Sequence, residues 1–398
     1  MTLGLPDLVR RVETARFGPF TFRVGVDPSW VETLLLRVGD AHARLHDSPL
    51  AQVADRLERE VVVSSVFGTN SIEGGTLTEE ETQLALDLAP AAVADVEQRR
   101  ALNIKAAYDL ARAASADPGW RLSIDFIRDL HRAITRDLPH QYSQPGLLRD
   151  NPKHVPTYVG DGPHGGRYKP PQFGRDVRRL LEALLDWHAE LEEQGLPVLL
   201  RAPLVHYYYE IIHPFWDGNG RVGRVLEATL LLREGFQYAP FAQARFYLAH
   251  IDRYFTLFNT CRKAAAADRP HPNTDFVTFF LEGMLESLHS LHGRVNRIVE
   301  LLLFETDLKR RHDAREINDR QYAIVSQVLD AGHPVPLPEM RRAPWYRALY
   351  TRLTDKTKQR DLRRLREQGL LHLDEDHRLW PGVVPPASEN HEFRGRFT

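Results

Sequence analysis

A long apolar stripe in the last third of the chain constrains the fold most. Eight apolar residues recur there at steps of three and four: Phe276, Phe280, Met284, Leu288, Leu291, Val295, Ile298 and Leu302. This spacing is typical of one face of an α-helix. A helix this long with a single apolar face needs other elements to cover it. The stripe is therefore interpreted as a packing surface that faces the core.

Helical patterns fill most of the remaining chain. Asp27-Pro28 is typical of an N-cap followed by a proline in the first turn. The helix after it carries Trp30, Leu34, Leu35 and Val38 on one side. Further helices are predicted over 51–73, 80–88, 96–114, 123–135, 175–194, 203–212 and 220–234, and a linker over 264–275.

One stretch interrupts the helices. Residues 144–172 hold eleven prolines and glycines: Pro145, Gly146, Pro152, Pro156, Gly160, Gly162, Pro163, Gly165, Gly166, Pro170 and Pro171. Within it, 155–159 and 167–169 flank a glycine-rich tip. This pattern predicts a short β-hairpin over 155–169 on the helical body.

Composition narrows the class of protein. The 398 residues are 42% hydrophobic and 27% charged, which excludes a mainly disordered chain and suits two or three domains. The single cysteine, Cys261, excludes an intramolecular disulfide and any multi-cysteine metal site. Because neither a long apolar run nor an apolar leader is present, a cytoplasmic location is expected.

Charge is unevenly distributed along the chain. The formal net charge is only −2. Residues 341–372, however, hold ten Lys or Arg against three acids, a local net of +7. The remainder therefore carries about −9, so the near-neutral total conceals a basic C-terminal segment.

The densest chemistry lies in the motif loop, His213-Pro-Phe-Trp-Asp-Gly-Asn-Gly-Arg-Val-Gly-Arg224, between two predicted helices. His213 is suited to proton transfer near neutral pH. Asp217 is a hard carboxylate of the kind that Mg²⁺ prefers. These two residue types, close in the chain, are typical of phosphate chemistry.

The rest of the motif loop suits an anion. Gly218, Asn219 and Gly220 let backbone N–H groups turn inward at the start of the next helix. Arg221 and Arg224 are one helical turn apart and can face the same anion. Arg221 and Ala228 stand where an EF-hand needs oxygen ligands, and no Gly-Lys-Ser/Thr follows as in a Walker loop.

These residues resemble the signature of the Fic family, His-Pro-Phe-x-Asp/Glu-Gly-Asn-Gly-Arg-x-x-Arg. The resemblance extends to Leu130-His131, to Pro145-Gly146-Leu-Leu-Arg149 and to His206-x-x-Tyr209, and it covers about residues 50–300. It implies a mainly α fold, a Fic-type helical bundle with a β-hairpin flap. It also implies a nucleotidyltransferase that moves AMP from ATP to a hydroxyl of a target protein or of itself. The Ala-Asn-Lys loop of the related Doc kinases is missing.

The resemblance also implies a role for each matching residue. His213 would deprotonate the target hydroxyl, and Asp217 would hold Mg²⁺ between the α- and β-phosphates. The phosphates would be bound by Gly218, Asn219, Gly220, Arg221 and Arg224, the last one at the γ-phosphate. Phe215 would anchor the loop in the core.

Other parts of the site are implied less specifically. Tyr254 and Phe255 stand where the family places residues around adenine, although their helical spacing also suits the core. His206 is interpreted as a packed or hydrogen-bonded histidine, since no third metal ligand is evident. The flap would pair with an extended segment of the target. Fic relatives are often dimers, so a homodimer is compatible with the resemblance.

An inhibitory element is implied on the second predicted helix. Glu73 should lie in its last turn, where the helix dipole disfavours a carboxylate. Thr69-Asn-Ser-Ile-Glu73-Gly74 resembles the Fic inhibitory motif, Ser/Thr-x-x-x-Glu-Gly/Asn. Glu73 would pair with Arg224 and keep it from the γ-phosphate, and Thr69 would bond the helix to the core. Gly68 costs this helix about 1 kcal/mol against alanine, which suggests a helix built to move.

The basic segment looks like a winged helix-turn-helix module. Residues 354–371 would form its recognition helix with Leu362, Leu365 and Leu370 inward, Gly369 would end it, and 372–380 would be the wing. Its basic face suits nucleic-acid phosphates, but such modules also bind proteins. The predicted domains are 1–115 with the inhibitory helix at 51–75, the catalytic core 116–312, the winged helix 313–384 and a tail 385–398.

Two alternative functions remain at this point. The same residues could remove AMP from a modified target, with Glu73 positioning the attacking water. The chain could instead be a DNA-binding regulator whose core only senses a nucleotide, which the local net charge of +7 would favour.

Overall fold

The computed structural model describes residues 4, 8–48, 53–89, 92, 93 and 95–384. The predicted tail, 385–398, and residues 51 and 52 of the predicted inhibitory helix lie outside the described residues. Within the described part, the elements in chain order are β1 (Val9–Glu13), β2 (Pro19–Arg23), α1 (Pro28–His46), α2 (Ala54–Ile72), α3 (Glu79–Leu86), α4 (Val96–Ala116), α5 (Ile124–Thr135), α6 (Gly174–Glu193), α7 (Val198–Ile212), α8 (Asn219–Arg233), α9 (Ala239–Ala249), α10 (Ile251–Ala266), α11 (Thr274–Asp313), α12 (Asp319–Asp330), β3 (Val335–Pro336), α13 (Leu337–Arg342), α14 (Pro344–Leu349), α15 (Asp355–Glu367), β4 (Leu371–Leu373) and β5 (Arg378–Pro381).

The mainly helical fold predicted from the sequence is confirmed. The chain divides into two compact units. The first unit consists of Met1–Leu50 and Ala54–Gly293, and the second consists of Ala51–Val53 and Arg294–Thr398. Helix α11, which carries the apolar stripe, contributes residues to both units. None of the described helices combines the length and the hydropathy that crossing a bilayer requires.

Helices α7 and α8 form the centre of the first unit. Fourteen of the fifteen residues of α7 and twelve of the fifteen of α8 are buried. A helix that is covered on all sides has no polar face, so its ends are hard to read from periodicity. The predicted start of α7 at Pro203 is accordingly wrong, because the helix begins at Val198 and carries Pro203 inside.

Helix α2 packs closely against α9. A Cβ at Gly68 would lie 3.0 Å from the backbone of Ala244. The glycine therefore permits a close helix–helix approach, which is a packing reason for the residue rather than the expected mobility. The helix ends at Ile72, one residue earlier than predicted, and Gly74 follows in the left-handed region with φ +79°.

The N-terminal segment and α1 differ from expectation. Strands β1 and β2 form an antiparallel hairpin that the sequence patterns did not indicate. Asp27 caps α1 as predicted, but Trp30 is 65% exposed. The buried side of α1 consists of Val31, Val38, Ala41 and Leu45. The predicted linker is also shorter, because α10 continues to Ala266 and α11 begins at Thr274.

The predicted flap contains one antiparallel residue pair instead of two strands. Val159 and Tyr168 exchange two backbone hydrogen bonds of 2.8 Å. Pro156 has no N–H to donate within the first arm, so the ladder does not lengthen there. Asn259 of α10 donates to the carbonyls of His164 and Gly166 and holds the glycine-rich tip.

The second unit contains a three-stranded antiparallel sheet in the order β3-β5-β4 and four short helices, α12 to α15. Helix α15 buries Leu362 and Leu365, and Asp361 accepts hydrogen bonds from Arg320 and Tyr350. Most of its basic side chains are exposed. Helix and hairpin lie where a recognition helix and wing were expected, and a winged-helix identity stays a prediction.

Candidate active site

The motif loop joins the two central helices through two left-handed residues. His213 follows α7 with φ +52°, and Gly218 precedes α8 with φ +77°. A left-handed backbone is uncommon for residues other than glycine, although histidine, like asparagine and aspartate, adopts it several-fold more often than the rest. Contacts around His213 stabilise this conformation.

Arg149 provides much of that support. Its buried guanidinium donates to the His213 carbonyl at 2.5 Å and to the Ile212 carbonyl at 3.2 Å. Its backbone N–H donates to the Pro214 carbonyl at 2.9 Å. Burial lowers the pKa of Arg149 to about 10, which still leaves the side chain charged at neutral pH. Carbonyls at the end of α7 are thus satisfied by one residue that the family resemblance had already indicated.

His131 fixes the other side of the loop. Its ring stacks on Phe215 with centroids 3.8 Å apart. Its Nδ1 accepts from the Gly146 N–H at 2.9 Å, so the proton is on Nε2, which lies 3.1 Å from the Asp217 carbonyl. Burial lowers the pKa of His131 to about 4, so the ring is neutral at pH 7.

Asn219 closes the loop on itself. Its side-chain amide accepts from the Phe215 N–H at 2.9 Å and donates to the Phe215 carbonyl at 2.8 Å. Phe215 itself is fully buried, as the anchoring role requires. The loop is therefore held from outside by Arg149 and His131 and from inside by Asn219.

Several polar atoms of the loop lack partners among the described residues. The Nε atoms of Arg221 and Arg224 are buried donors without a hydrogen-bond acceptor, and His213 Nδ1 likewise makes no hydrogen bond. Native proteins pair nearly all buried polar atoms. Two free guanidinium donors beside a helix N-terminus are an arrangement that an anionic ligand would complete.

Asp217 lies at the open side of the loop. Its side chain is 40% exposed, and one carboxylate oxygen accepts from Arg221 Nη2 at 2.9 Å. Burial tends to raise the pKa of Asp217, but Arg221 and the Gly218 N–H outweigh it and lower the pKa. An ionised and accessible carboxylate results. No group of three His, Cys, Asp or Glu in the described part of the chain forms a metal site on its own.

Glu73 and Arg224 come together as the sequence predicts. The Glu73 carboxylate accepts from Arg224 Nη2 at 2.7 Å, and the same nitrogen lies 3.3 Å from the Thr69 carbonyl. Burial tends to lower the pKa of Arg224, and the charge of Glu73 outweighs this and raises it. Thr69 Oγ1 also lies 3.2 Å from the Tyr108 hydroxyl of α4, which links the end of α2 to the core.

The Glu73 carboxylate also lies against the first turn of α8. A side chain at Gly220 would collide with it. The carboxylate therefore occupies space at the helix N-terminus, where the dipole favours an anion. Glu73 follows the last turn of α2 instead of lying inside it, and its side chain is 28% exposed.

One cavity connects Glu73 and part of the motif loop with the flap and α10. Its lining includes Glu73, His213, Gly220, Arg224 and Phe255, together with flap residues and Tyr254. Both aromatic residues proposed for adenine thus face the cavity. The ring of Tyr254 is almost fully buried, and its hydroxyl lies 3.0 Å from His206 Nε2.

Two further carboxylates near the site were missed by the sequence analysis. Glu210 Oε2 lies 3.7 Å from His213 Nδ1, and Glu227 is buried beside His206. Glu210 is three residues before His213 on α7, a spacing that could have indicated it. Glu227 carries no such signal, because its partner is on another helix.

Comparisons with known proteins agree on one family. The sequence model described as "Fic/DOC family" matches residues 121–231. "Protein adenylyltransferase Fic" of Nematostella vectensis is 25% identical over 209 residues, which are 52% of this chain and 46% of that protein. The protein of the same name from Drosophila ananassae is 29% identical over 200 residues, 50% of this chain and 37% of that protein. The chain thus spans less than half the length of these relatives.

Solved structures show the same fold. A Fic family protein from Desulfovibrio desulfuricans G20 aligns with a TM-score of 0.55 at 20% identity, over 89% of this chain and 96% of that one. Fic-1 from C. elegans aligns with a TM-score of 0.52 at 21% identity, over 67% of this chain and 73% of that one.

Proposed function

Because the chain belongs to the Fic family, we propose that it is a protein adenylyltransferase held inactive by its own Glu73. It would transfer AMP from ATP to a hydroxyl side chain of a target protein or of itself. The observation that carries this proposal is the Glu73 carboxylate, bonded to Arg224 against the first turn of α8. A carboxylate placed there occupies a position suited to a phosphate.

The reaction is a displacement at the α-phosphorus. The target hydroxyl oxygen forms the new bond to phosphorus, the bond to the β-phosphate oxygen breaks, and pyrophosphate leaves. His213 would accept the hydroxyl proton. Its left-handed backbone, held by Arg149, fixes the imidazole at the cavity wall. Such a positioned base contributes about 10²- to 10⁴-fold to a rate.

The phosphates would be bound by the first turn of α8 and by both arginines. The backbone N–H groups of a first helical turn have no acceptor within the helix. The unpaired Nε atoms of Arg221 and Arg224 add two charged donors. Donors fixed before the substrate arrives stabilise the charge that develops in the transition state.

Asp217 fits a Mg²⁺ ion that arrives with ATP. Its carboxylate is ionised and accessible, and Mg²⁺ commonly uses one or two protein carboxylates together with substrate phosphates and water. When bound, the ion would neutralise phosphate charge. Since the described residues offer no multi-ligand cluster, the remaining ligands would come from substrate and water.

The cavity suggests places for adenine and for the target. Phe255 and Tyr254 of α10 line it, and so do the flap residues Val159 and Gly160. The target segment would add to the backbone of the flap at 155–169, which reads main chain and not sequence. A homodimer and a cytoplasmic location stay predictions.

The basic C-terminal helix supports a second contact. Lys356, Arg360, Arg363 and Arg366 are exposed on α15, and its leucines point inward. An exposed basic helix suits DNA phosphates. DNA binding that falls with salt and persists in His213→Ala would support this contact, and protein binding at the same face would replace it.

The test uses ATP labelled at the α- or γ-phosphate with the Glu73→Gly protein in a cell lysate. AMP transfer predicts protein-bound label from the α-phosphate alone. The matched control is Glu73→Gly with His213→Ala, which should transfer none. Label from the γ-phosphate, or equal label in both proteins, contradicts the proposal. Loss of AMP from a pre-modified target incubated with the wild-type protein, which keeps Glu73, would instead favour hydrolytic removal of AMP, with Glu73 positioning the attacking water.

A further inference from the structure

Four buried polar side chains lie behind Arg224 and are linked to one another by hydrogen bonds. They are Tyr254, His206, Glu227 and Tyr247, and none is more than 2% exposed. They come from four different helices, α10, α7, α8 and α9. We call this group the relay. Burying four such groups is costly unless each is hydrogen-bonded, so the bonds between them need a reason.

The direction of every hydrogen bond in the relay can be assigned from its two ends. Glu227 accepts from the Tyr247 hydroxyl at 2.9 Å and lies 2.8 Å from His206 Nδ1. The other ring nitrogen, Nε2, lies 3.0 Å from the Tyr254 hydroxyl. Because Arg224 can only donate to the Tyr254 oxygen, the hydroxyl proton of Tyr254 is directed at Nε2. This places the ring proton of His206 on Nδ1, towards Glu227.

This assignment leaves the Tyr254 oxygen with its lone pairs directed away from His206. Arg224, which can only donate, lies at that position, with Nη1 3.5 Å from the oxygen. Burial raises the pKa of Tyr254, which keeps its hydroxyl protonated and the direction fixed. The relay thus presents an oriented acceptor to Arg224.

Arg224 is therefore held at two separate nitrogens. Glu73 and the Thr69 carbonyl bind Nη2, and Tyr254 binds Nη1. Departure of Glu73 removes the charged partner of Nη2 and leaves the contacts with the Thr69 carbonyl and, at Nη1, with Tyr254 in place. The relay would keep the guanidinium in the cavity after Glu73 is withdrawn.

We propose that Glu227 and His206 are positioning residues that orient the Tyr254 hydroxyl so that it holds Arg224 for the terminal phosphate of a nucleoside triphosphate. The relay would thereby set the preference for a triphosphate over a diphosphate. This inference rests on the proposed function, in which Arg224 binds the γ-phosphate. It adds a specificity role for three residues that lie behind the phosphate site.

The test measures the dissociation constants of Mg-ATP and Mg-ADP by calorimetry in the Glu73→Gly protein and its variants. Tyr254→Phe removes only the hydroxyl, and it should weaken ATP binding about tenfold while changing ADP binding less than twofold. Glu227→Gln keeps the shape and removes the charge, and it should shift the same ratio in the same direction. Arg224→Gln in this background gives the full size of the loss.

A purely structural relay would weaken both nucleotides equally, because neither contact would depend on the third phosphate. An unchanged ATP-to-ADP ratio in both variants overturns the relay, while AMP transfer by the parent protein would still support the function. A parent protein that binds no ATP overturns both proposals. If Tyr254→Phe does not fold, Glu227→Gln decides the matter.

Discussion

The motif loop and the end of helix α2 meet at Arg224, but the two are held in place in very different ways. The loop is supported by the buried Arg149, by His131 and by Asn219, all bonded to its backbone. Glu73 follows the helix end, is partly exposed, and reaches Arg224 through one carboxylate oxygen. A rigidly held motif loop next to a carboxylate that can move away is the arrangement expected of a preformed site whose activity is regulated by that carboxylate.

The largest effect on stability should come from removing the support of the motif loop by Arg149. Arg149→Met removes the donors to the Ile212 and His213 carbonyls and leaves both unsatisfied. We expect the free energy of unfolding in urea to fall by about 3 kcal/mol. The exposed Arg178→Met should change it by less than about 0.5 kcal/mol. Equal stability of both variants would show that Arg149 does not support the loop.

The pH dependence of stability should also report on the support of the motif loop, through His131. Burial lowers the pKa of His131 in the folded protein to about 4, below its ordinary value of 6.5. Between these two pH values the unfolded chain binds a proton at His131 more readily than the folded protein does. The contribution of the neutral His131 ring to stability is therefore complete above pH 6.5 and is lost as the pH falls towards 4. From pH 7 to pH 5 the loss is about 2 kcal/mol.

His131→Gln should remove the part of this slope that His131 contributes, and urea unfolding at several pH values measures it. His188 provides the matched control, because its pKa is also lowered to about 4 by burial, on α6. His188→Gln should flatten the slope similarly and leave AMP transfer unchanged. If His131→Gln kept the wild-type slope, the neutral buried ring would be disproved.

The smallest effect on stability is expected at the end of helix α2, which carries Thr69 and precedes Glu73. Thr69→Val deletes the 3.2 Å contact with the Tyr108 hydroxyl. It should cost about 1 kcal/mol of stability and raise AMP transfer a few-fold, because the end of α2 is less firmly held. Tyr108→Phe removes the same bond, so the double variant should be no worse than either single one. Additive losses would mean that the two hydroxyls act separately.

The contact between Glu73 and Arg224 could be predicted from the sequence better than the elements around it, for physical reasons. The motif loop and the Thr69–Glu73 segment are short, local patterns, and the structure brings Glu73 and Arg224 together as expected. Glu227 could not be found, because its partners lie on two other helices and no local spacing links them. Helix α7 was misjudged because burial on all sides removes the polar face that marks a boundary.

The flap and the N-terminal hairpin could not be predicted in detail from local sequence patterns. Glycines and prolines indicated a turn at 155–169, but they could not tell that a single pair, Val159 and Tyr168, would form. Strands β1 and β2 are short and lack strict alternation, and the turn between them is held by Asp176 from a distant helix. Tertiary contacts decided both structures.

The most direct test of the account is the initial rate of AMP transfer at saturating Mg-ATP, for Glu73→Gly against the wild-type protein. Loss of a hydrogen-bonded charge contact worth about 1.5–3 kcal/mol predicts an increase of at least about tenfold. Ser71→Gly loosens the same helix end and keeps the carboxylate, so it should stay near the wild-type rate. Equal rates for Glu73→Gly and the wild type would contradict the central claim that Glu73 restrains this site.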